Sequence, residues 1–181
     1  MAYIQLNNDM PGIVEPMIYR PETAKPLNDL VNVLLRQDNG LLQYERELIA
    51  AYVSKKNDCN FCSTFHGAMA KQHLQDDTLK QQVFDNPETA DISDKLKALL
   101  ALAGKVRESG LAVQPADIDR AKQAGASDLE IHDTVLIAAA FCMFNRYVDG
   151  LGTTLPPNME IYDQLAAGVH QYGYGVPEGG G

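Results

Sequence analysis

The 181-residue sequence has few cysteines, few basic residues and no long apolar run, and each shortage excludes a class of protein. Three cysteines do not make the dense, even-numbered disulfide framework of a small secreted domain. No apolar run approaches the roughly 18 residues that a membrane-spanning helix needs. The formal net charge is −9, and no Lys/Arg-rich run occurs. We therefore expect neither a nucleic-acid partner nor a membrane partner.

Signals of export are also missing from the start of the sequence. The first nine residues, MAYIQLNND, contain neither a basic segment nor an apolar core, so we expect no signal peptide. Together with the cysteine usage, this indicates a reducing, cytoplasmic setting. In such a setting a C-x-x-C pair is more often catalytic or metal-binding than a permanent disulfide.

What the sequence does contain is a succession of helical patterns. It is 45% hydrophobic and 22% charged, which is ordinary for a globular protein, and alternating apolar and polar positions are rare. We predict an all-α fold in a single domain over residues 1–181. Four prolines at five-residue intervals (Pro11, Pro16, Pro21 and Pro26) favour an extended N-terminal segment over about residues 1–25. A Gly-rich tail is predicted over about residues 171–181.

Cap signals and apolar stripes predict where the helices lie. The apolar run from Val135 to Phe144 has no polar face, which predicts a helix buried all round, in the core or at an oligomer interface. Asp58 is a plausible N-cap for the helix that carries the cysteines. The remaining predicted helices begin at Pro26, Gln43 (ending near Lys56), Asp76-Asp77, Ser93, Pro115, the capping box Ser127/Glu130, and Met159 (ending near His170).

The most informative stretch is CNFCSTFH, in which Cys59, Cys62 and His66 recur at helical spacing. Steps of about 100° per residue place all three within an arc of roughly 60° on one helix face. Glu47 lies on the preceding predicted helix, just outside its apolar stripe, so it could face the seam between the two helices. Peroxide reduction needs a thiolate, a histidine that takes its proton, a carboxylate that orients the histidine, and a second thiol that forms a disulfide.

Two other readings of this stretch stay open. Both cysteines could be small buried side chains with no redox role. Alternatively, Cys59, Cys62 and His66 could bind a metal ion, with a fourth ligand from elsewhere such as Glu47. His73 lies too far along the helix to complete one tetrahedral site. Cys142, within the apolar run, is more typical of a core residue than of a redox residue.

These residues resemble a known signature. Glu47-Leu48, Val53-Ser54, Asn57 to Cys62 and His66, with Arg46 to Ala50 before them, are similar to the alkyl hydroperoxidase D-like proteins of the carboxymuconolactone decarboxylase superfamily. The segment Asn145 to Gly152 favours the peroxidase-related branch. The resemblance implies an AhpD-like helical bundle with the C-x-x-C at the start of a core helix, and a homo-oligomer (dimer, trimer or hexamer).

The resemblance also implies roles for the site residues. It makes Cys62 the thiol that attacks the hydroperoxide, Cys59 the resolving thiol, and His66 with Glu47 the proton relay. The residues themselves leave the order of the cysteines open, because the helix entry favours Cys59 and closeness to His66 favours Cys62. An external thiol or dithiol would reset the pair, and no cofactor is implied. A decarboxylase ranks last, since lactone decarboxylation has no evident need for a dithiol.

One position departs from the family pattern. The best-known peroxidases of the family carry a second histidine directly before the second cysteine, where this sequence has Phe61. A relay through that histidine is absent, so we expect weaker peroxidase turnover.

Overall fold

Helices make up nearly all regular structure in this computed structural model, which describes residues 2–76 and 78–175. These ranges contain nine α-helices, one short 3₁₀ helix and no strand, so the all-α prediction is confirmed. None of the helices there has the length and apolar character to cross a bilayer. The α-helices are α1 Val14–Tyr19, α2 Pro21–Arg36, α3 Gln43–Lys56, α4 Asn60–Leu74, α5 Leu79–Asp85, α6 Asp94–Glu108, α7 Pro115–Gln123, α8 Asp128–Gly150 and α9 Met159–Tyr172, and the 3₁₀ helix is Gly110–Ala112.

The central helix of the bundle is α3. It packs most extensively against α4 and also against α8 and α6, and ten consecutive residues, 45–54, are buried. Two of them, Arg46 and Glu47, carry charges and have no exposed surface. A buried charge is costly unless it is paired and hydrogen-bonded. The interior must therefore supply partners for both side chains.

Arg46 finds its partners in α2, the α2–α3 loop and α8. Its guanidinium makes five hydrogen bonds, one for each N–H. Nη1 donates to Leu34 O (2.8 Å) and Asp133 Oδ2 (2.9 Å), Nη2 to Asn39 O (2.6 Å) and Asn39 Oδ1 (2.8 Å), and Nε to Leu41 O (3.2 Å). This cluster fixes the start of α3 and hence the position of Glu47, which lies one residue further along.

The turn from α3 into α4 differs from the prediction. Asp58 does not cap α4, because it adopts a left-handed conformation (φ +58°) and Cys59 occupies the cap position. The Cys59 amide donates to Ser54 O (3.0 Å) and the Asp58 amide to Lys55 O (3.1 Å). This pair of bonds is the Schellman motif that ends a helix. Asp58 therefore closes α3, and α4 begins two residues later.

The N-terminal segment is also less extended than predicted. Residues 14–19 form α1 and α2 begins at Pro21, so the extended segment over about 1–25 is wrong beyond residue 13. Pro21 stands at the first position of α2 and Pro16 at the third of α1, where amide hydrogens have no partner within the helix. Only Pro26, inside α2, removes a helical hydrogen bond. The prolines were thus weaker evidence against helix than their number suggested.

The long helix α8 is not buried all round. Ile137, Phe141 and Phe144 face the core, whereas Leu136 is 38% exposed and Met143 is 45% exposed on the opposite side. The sequence is apolar on every face, and periodicity alone could not distinguish the covered side from the uncovered one.

Two of the predicted helix starts are capped as expected. Ser93 Oγ accepts a hydrogen bond from the Leu96 amide (3.2 Å). Ser127 and Glu130 form the reciprocal capping box, with bonds of 3.2 Å and 2.7 Å. Glu130 also accepts from Lys95 Nζ (2.6 Å), which ties α8 to α6. Asp77, the second residue of the predicted Asp76-Asp77 cap, lies outside the described residues.

The C-terminal tail begins later than predicted. α9 continues to Tyr172, and residues 173–175 then fold back against α2. Residues 176–181 of the predicted tail lie outside the described residues. The short described part of the tail contributes directly to the site below.

Candidate active site

The seam between α3 and α4 joins the predicted carboxylate to the predicted histidine. Glu47 Oε2 lies 2.7 Å from His66 Nδ1, and the two side chains are buried. His66 also makes edge-on contacts with the rings of Phe65 and Phe141, at centroid distances of 5.1 Å and 4.6 Å. The imidazole is therefore held by one charged partner within an aromatic enclosure. Its other ring nitrogen, Nε2, is the atom left for proton exchange with a neighbouring group.

Both cysteines of the motif lie at the entry of α4 as free thiols. Cys59 is at the cap position and has no exposed surface, while Cys62 is in the first turn and is 3% exposed. A hydrogen bond with Cys59, burial, and the nearby charge of Cys59 raise the pKa of the Cys62 thiol well above its ordinary value. The two thiols are thus close to each other, as disulfide formation requires.

Asn145, from α8, is a polar neighbour of Cys62. Its side chain hydrogen-bonds the thiol and opposes the rise in the pKa of Cys62. Asn145 is itself fixed, since Nδ2 donates to Ser54 Oγ (3.0 Å) and Oδ1 accepts from Asn57 Nδ2 (2.9 Å). In the sequence, Asn145 begins the segment Asn145 to Gly152, but the sequence does not distinguish a role in packing from a role in the site. The contact with Cys62 assigns it to the site.

A small apolar cavity opens onto Cys62 and His66. Its volume is about 120 Å³, similar to the roughly 150 Å³ of an engineered cavity that holds benzene. Cys59 does not line it, so the cavity gives access to Cys62 alone. The walls of the cavity come from α1, α2, α4, α8, α9 and the tail, and include Met17, Val31, Phe61, Phe65, Phe144 and Leu165.

The Phe61 ring is also in close contact with the N-terminal segment. Gly12, at φ +59°, lies so close to this ring that a Cβ at position 12 would clash with it.

Tyr174, from the tail, is a member of the site that the sequence did not reveal. Its hydroxyl donates to Glu47 Oε1 (2.6 Å) and lies 3.4 Å from His66 Nδ1. Its ring stacks on His66 with a centroid distance of 6.0 Å and an interplanar angle of 19°. Tyr172, in the same predicted Gly-rich tail, is exposed, whereas Tyr174 packs within its own chain.

The metal-binding alternative gains no geometric support. Across residues 2–76 and 78–175, no three His, Cys, Asp or Glu side chains converge on a point that could hold a metal ion. His73 lies beside His170 instead of the thiols, at a ring-centroid distance of 4.7 Å. Cys142 is half-buried and accepts a long contact from Asn57 Nδ2 (3.6 Å).

In its helix arrangement, this chain is similar to AhpD-like, peroxidase-related proteins. Two solved structures carry this comparison. One is the alkylhydroperoxidase AhpD core of an uncharacterized peroxidase-related protein from Ralstonia eutropha JMP134, with a TM-score of 0.77 and 26% identity over 87% of this chain and 81% of that one. The other is an uncharacterized peroxidase-related protein from Silicibacter sp. TM1040, with a TM-score of 0.76 and 26% identity over 84% and 78%.

The fold class that the sequence resemblance implied is therefore confirmed. No protein-family model matches the chain, and no curated protein matches it.

Proposed function

We propose that this protein is a thiol-dependent peroxidase that cycles between a Cys59–Cys62 dithiol and disulfide. The observation that carries the proposal is the buried Glu47–His66 pair, with His66 lining the same cavity as the free Cys62 thiol, which is hydrogen-bonded to Cys59. A raised pKa leaves little Cys62 thiolate at neutral pH, so a nearby base is needed. His66, oriented by Glu47, is the group proposed to accept the Cys62 proton.

The proposed catalytic cycle has three steps. The Cys62 thiolate attacks the terminal oxygen of a hydroperoxide, the O–O bond breaks, and the alkoxide takes the proton from His66, leaving a sulfenic acid and an alcohol. The Cys59 thiol then attacks the sulfenic acid, forming the disulfide and releasing water. An external thiol or dithiol reduces the disulfide in two exchange steps. Cys62 is assigned the first attack because it alone lines the cavity.

The cavity walls favour organic hydroperoxides over hydrogen peroxide. They are almost wholly apolar, and burying an alkyl group there gains roughly 0.8 kcal/mol per CH₂. The same dithiol could also exchange with disulfide substrates, as a dithiol–disulfide oxidoreductase. Because the disulfide must be reset, a reducing, cytoplasmic location is part of the proposal.

Thiol counting tests the proposal. One equivalent of an alkyl hydroperoxide should lower the titratable thiols from three per chain to one, with a mass loss of two hydrogens. Cys142→Ser should start at two thiols and fall to none, whereas Cys62→Ser should consume no peroxide. Retained peroxide-dependent consumption of reductant in Cys62→Ser would contradict the assignment. A low-molecular-mass disulfide in place of the peroxide tests the oxidoreductase alternative.

Self-association, as a dimer, trimer or hexamer, is carried over from the resemblance and remains part of the proposal. In its support, Leu129, Leu136 and Met143 are exposed along one side of α8. Exposed apolar residues that share one face are typical of surfaces covered by another chain. Sedimentation at several protein concentrations measures the assembly, and a monomer throughout would contradict this part.

A further inference from the structure

We propose that Tyr174 is a positioning residue of the relay, which holds the Glu47 carboxylate and, through it, His66. The effect of Tyr174 on catalysis rests on the proposed function, whereas its contacts with Glu47 and His66 do not depend on that function. The two oxygens of Glu47 have different partners: Oε2 is bonded to His66 Nδ1 (2.7 Å) and Oε1 accepts the Tyr174 hydroxyl (2.6 Å). The phenol therefore satisfies the oxygen that the imidazole does not reach.

A buried carboxylate needs such a donor. Glu47 has no exposed surface, so water does not solvate its charge. An ionised carboxylate in apolar surroundings is stable only when its oxygens accept hydrogen bonds. Losing the phenol would leave Oε1 without its donor, and the carboxylate would then interact more strongly with its remaining donor, His66.

The phenol is suited to the donor role. Burial, and after it the Glu47 carboxylate, raise the pKa of Tyr174 well above its ordinary value, and Arg36 opposes this rise. The hydroxyl therefore keeps its proton at any physiological pH. Groups that face the cluster from the packed elements are His66 and Cys62 on α4, Arg36 on α2 and, further along α4, His73.

The chain supports Tyr174 with contacts of its own. Asn32, on α2, bonds both sides of the Tyr174 backbone: its Oδ1 accepts from the amide (2.9 Å) and its Nδ2 donates to the carbonyl (2.8 Å). Arg36 Nη1 donates to the carbonyl of Val169 (2.8 Å), near the end of α9. α2 thus clamps the segment 173–175, so the phenol reaches an interior carboxylate from a fixed backbone.

Tyr174→Phe, compared with Tyr172→Phe, tests the inference in the full chain. Both changes remove one hydroxyl, but Tyr172 is exposed and only Tyr174 touches Glu47. Nuclear magnetic resonance of the histidine rings, assigned with a His66→Asn variant, gives a readout that does not depend on activity. We expect the resonance of the His66 ring hydrogen that faces Glu47 to shift downfield in Tyr174→Phe, because the carboxylate then has only this donor left. It should not move in Tyr172→Phe.

Peroxide-driven thiol loss at pH 7 is the second readout. It should slow roughly tenfold in Tyr174→Phe and stay unchanged in Tyr172→Phe. Asn32→Ala, which loosens the backbone clamp and keeps the phenol, should move the His66 ring resonance in the same direction by less. If Tyr174→Phe fails to fold, Asn32→Ala tests the inference in its place.

The outcomes separate the two proposals. An unchanged His66 resonance in Tyr174→Phe, or in Asn32→Ala where only that variant folds, would overturn the positioning role. If the wild-type chain loses no thiols to peroxide but the resonance still moves, the proposed function fails and the positioning role stands.

Discussion

Replacing Arg46 with methionine should destabilise the fold more than any surface change of the same type. The guanidinium has no exposed surface and makes five hydrogen bonds, so methionine fills part of its volume but none of its donor role. The carbonyl oxygens of Leu34 and Leu41 lie inside the protein, and each would lose the hydrogen bond that Arg46 donates to it. The Asp133 carboxylate, which is 13% exposed, would lose its bond to Arg46 and keep the contact of Oδ1 with His132 Nδ1 (3.0 Å).

The magnitude follows from these losses. A buried acceptor left without a donor costs about 1–3 kcal/mol, and two carbonyls are affected. Asn39 and Asp133 are nearer the surface and can regain water, which limits their share. We expect a loss of about 4 kcal/mol in the free energy of unfolding, within the 3–5 kcal/mol typical of removing one partner from a buried ion pair. For a chain of this length, that lowers the melting temperature by roughly 10 °C.

Urea unfolding followed by circular dichroism measures the effect, at one protein concentration because association changes apparent stability. Arg120→Met is the matched control. Arg120 donates to Glu88 Oε1 (2.8 Å), but both side chains are about half exposed. Such surface pairs contribute about 0–1 kcal/mol. If Arg46→Met lost no more stability than Arg120→Met, the assignment of Arg46 as a buried structural hub would be refuted.

Three further changes test other parts of the site. Glu47→Gln removes the charge that orients the histidine, so peroxide-driven thiol loss should slow about 100-fold. Asn145→Ala removes a hydrogen bond that opposes the rise in the pKa of Cys62. Iodoacetamide should then modify Cys62 about 3- to 10-fold more slowly at pH 7, and the gap should close as the pH rises above the raised pKa and both proteins form thiolate. Gly12→Ala places a Cβ against the Phe61 ring at a positive φ, so it should lower the free energy of unfolding by about 2 kcal/mol or more.

Each of these three has an outcome that counts against it. A Glu47→Gln protein with wild-type kinetics would remove the carboxylate from the chemistry. Equal iodoacetamide profiles with and without the Asn145 amide would mean that its contact does not affect the thiol. Unchanged urea unfolding in Gly12→Ala would mean that the N-terminal segment does not pack closely on Phe61.

Local spacing predicted the part of the site that is local in sequence. Cys59, Cys62 and His66 lie within one helix, and the 100° step per residue is enough to bring them to one side. Glu47 was predictable because it lies one helix earlier, at the edge of an apolar stripe. The structure joins Glu47 to His66 by a hydrogen bond, while the catalytic roles of these four residues stay predictions.

The contacts that the sequence could not predict are polar and join residues far apart in the chain. Tyr174 lies 127 residues from Glu47 and belongs to a Gly-rich segment with no periodicity, so no local pattern indicates their contact. Arg46 is a charged residue within the apolar pattern of α3, and such a residue is ordinarily exposed. Its burial depends on carbonyls and a carboxylate from three separate segments. Asp58 was misread because one residue type serves both to cap a helix and to adopt a left-handed turn.

The Schellman turn at Asp58 also bears on how the chain can vary in length. Only residues 57–59 separate α3 from α4, and they are tied to the end of α3 by three backbone hydrogen bonds. Because these bonds fix the length of the turn, one inserted residue would be taken up into α4, where it would rotate everything after it by about 100° and shift it by about 1.5 Å. His66 would then turn away from Glu47, although every residue of the site remained in the sequence. Insertions in this protein should therefore be tolerated in the loop between α5 and α6, and excluded from this turn.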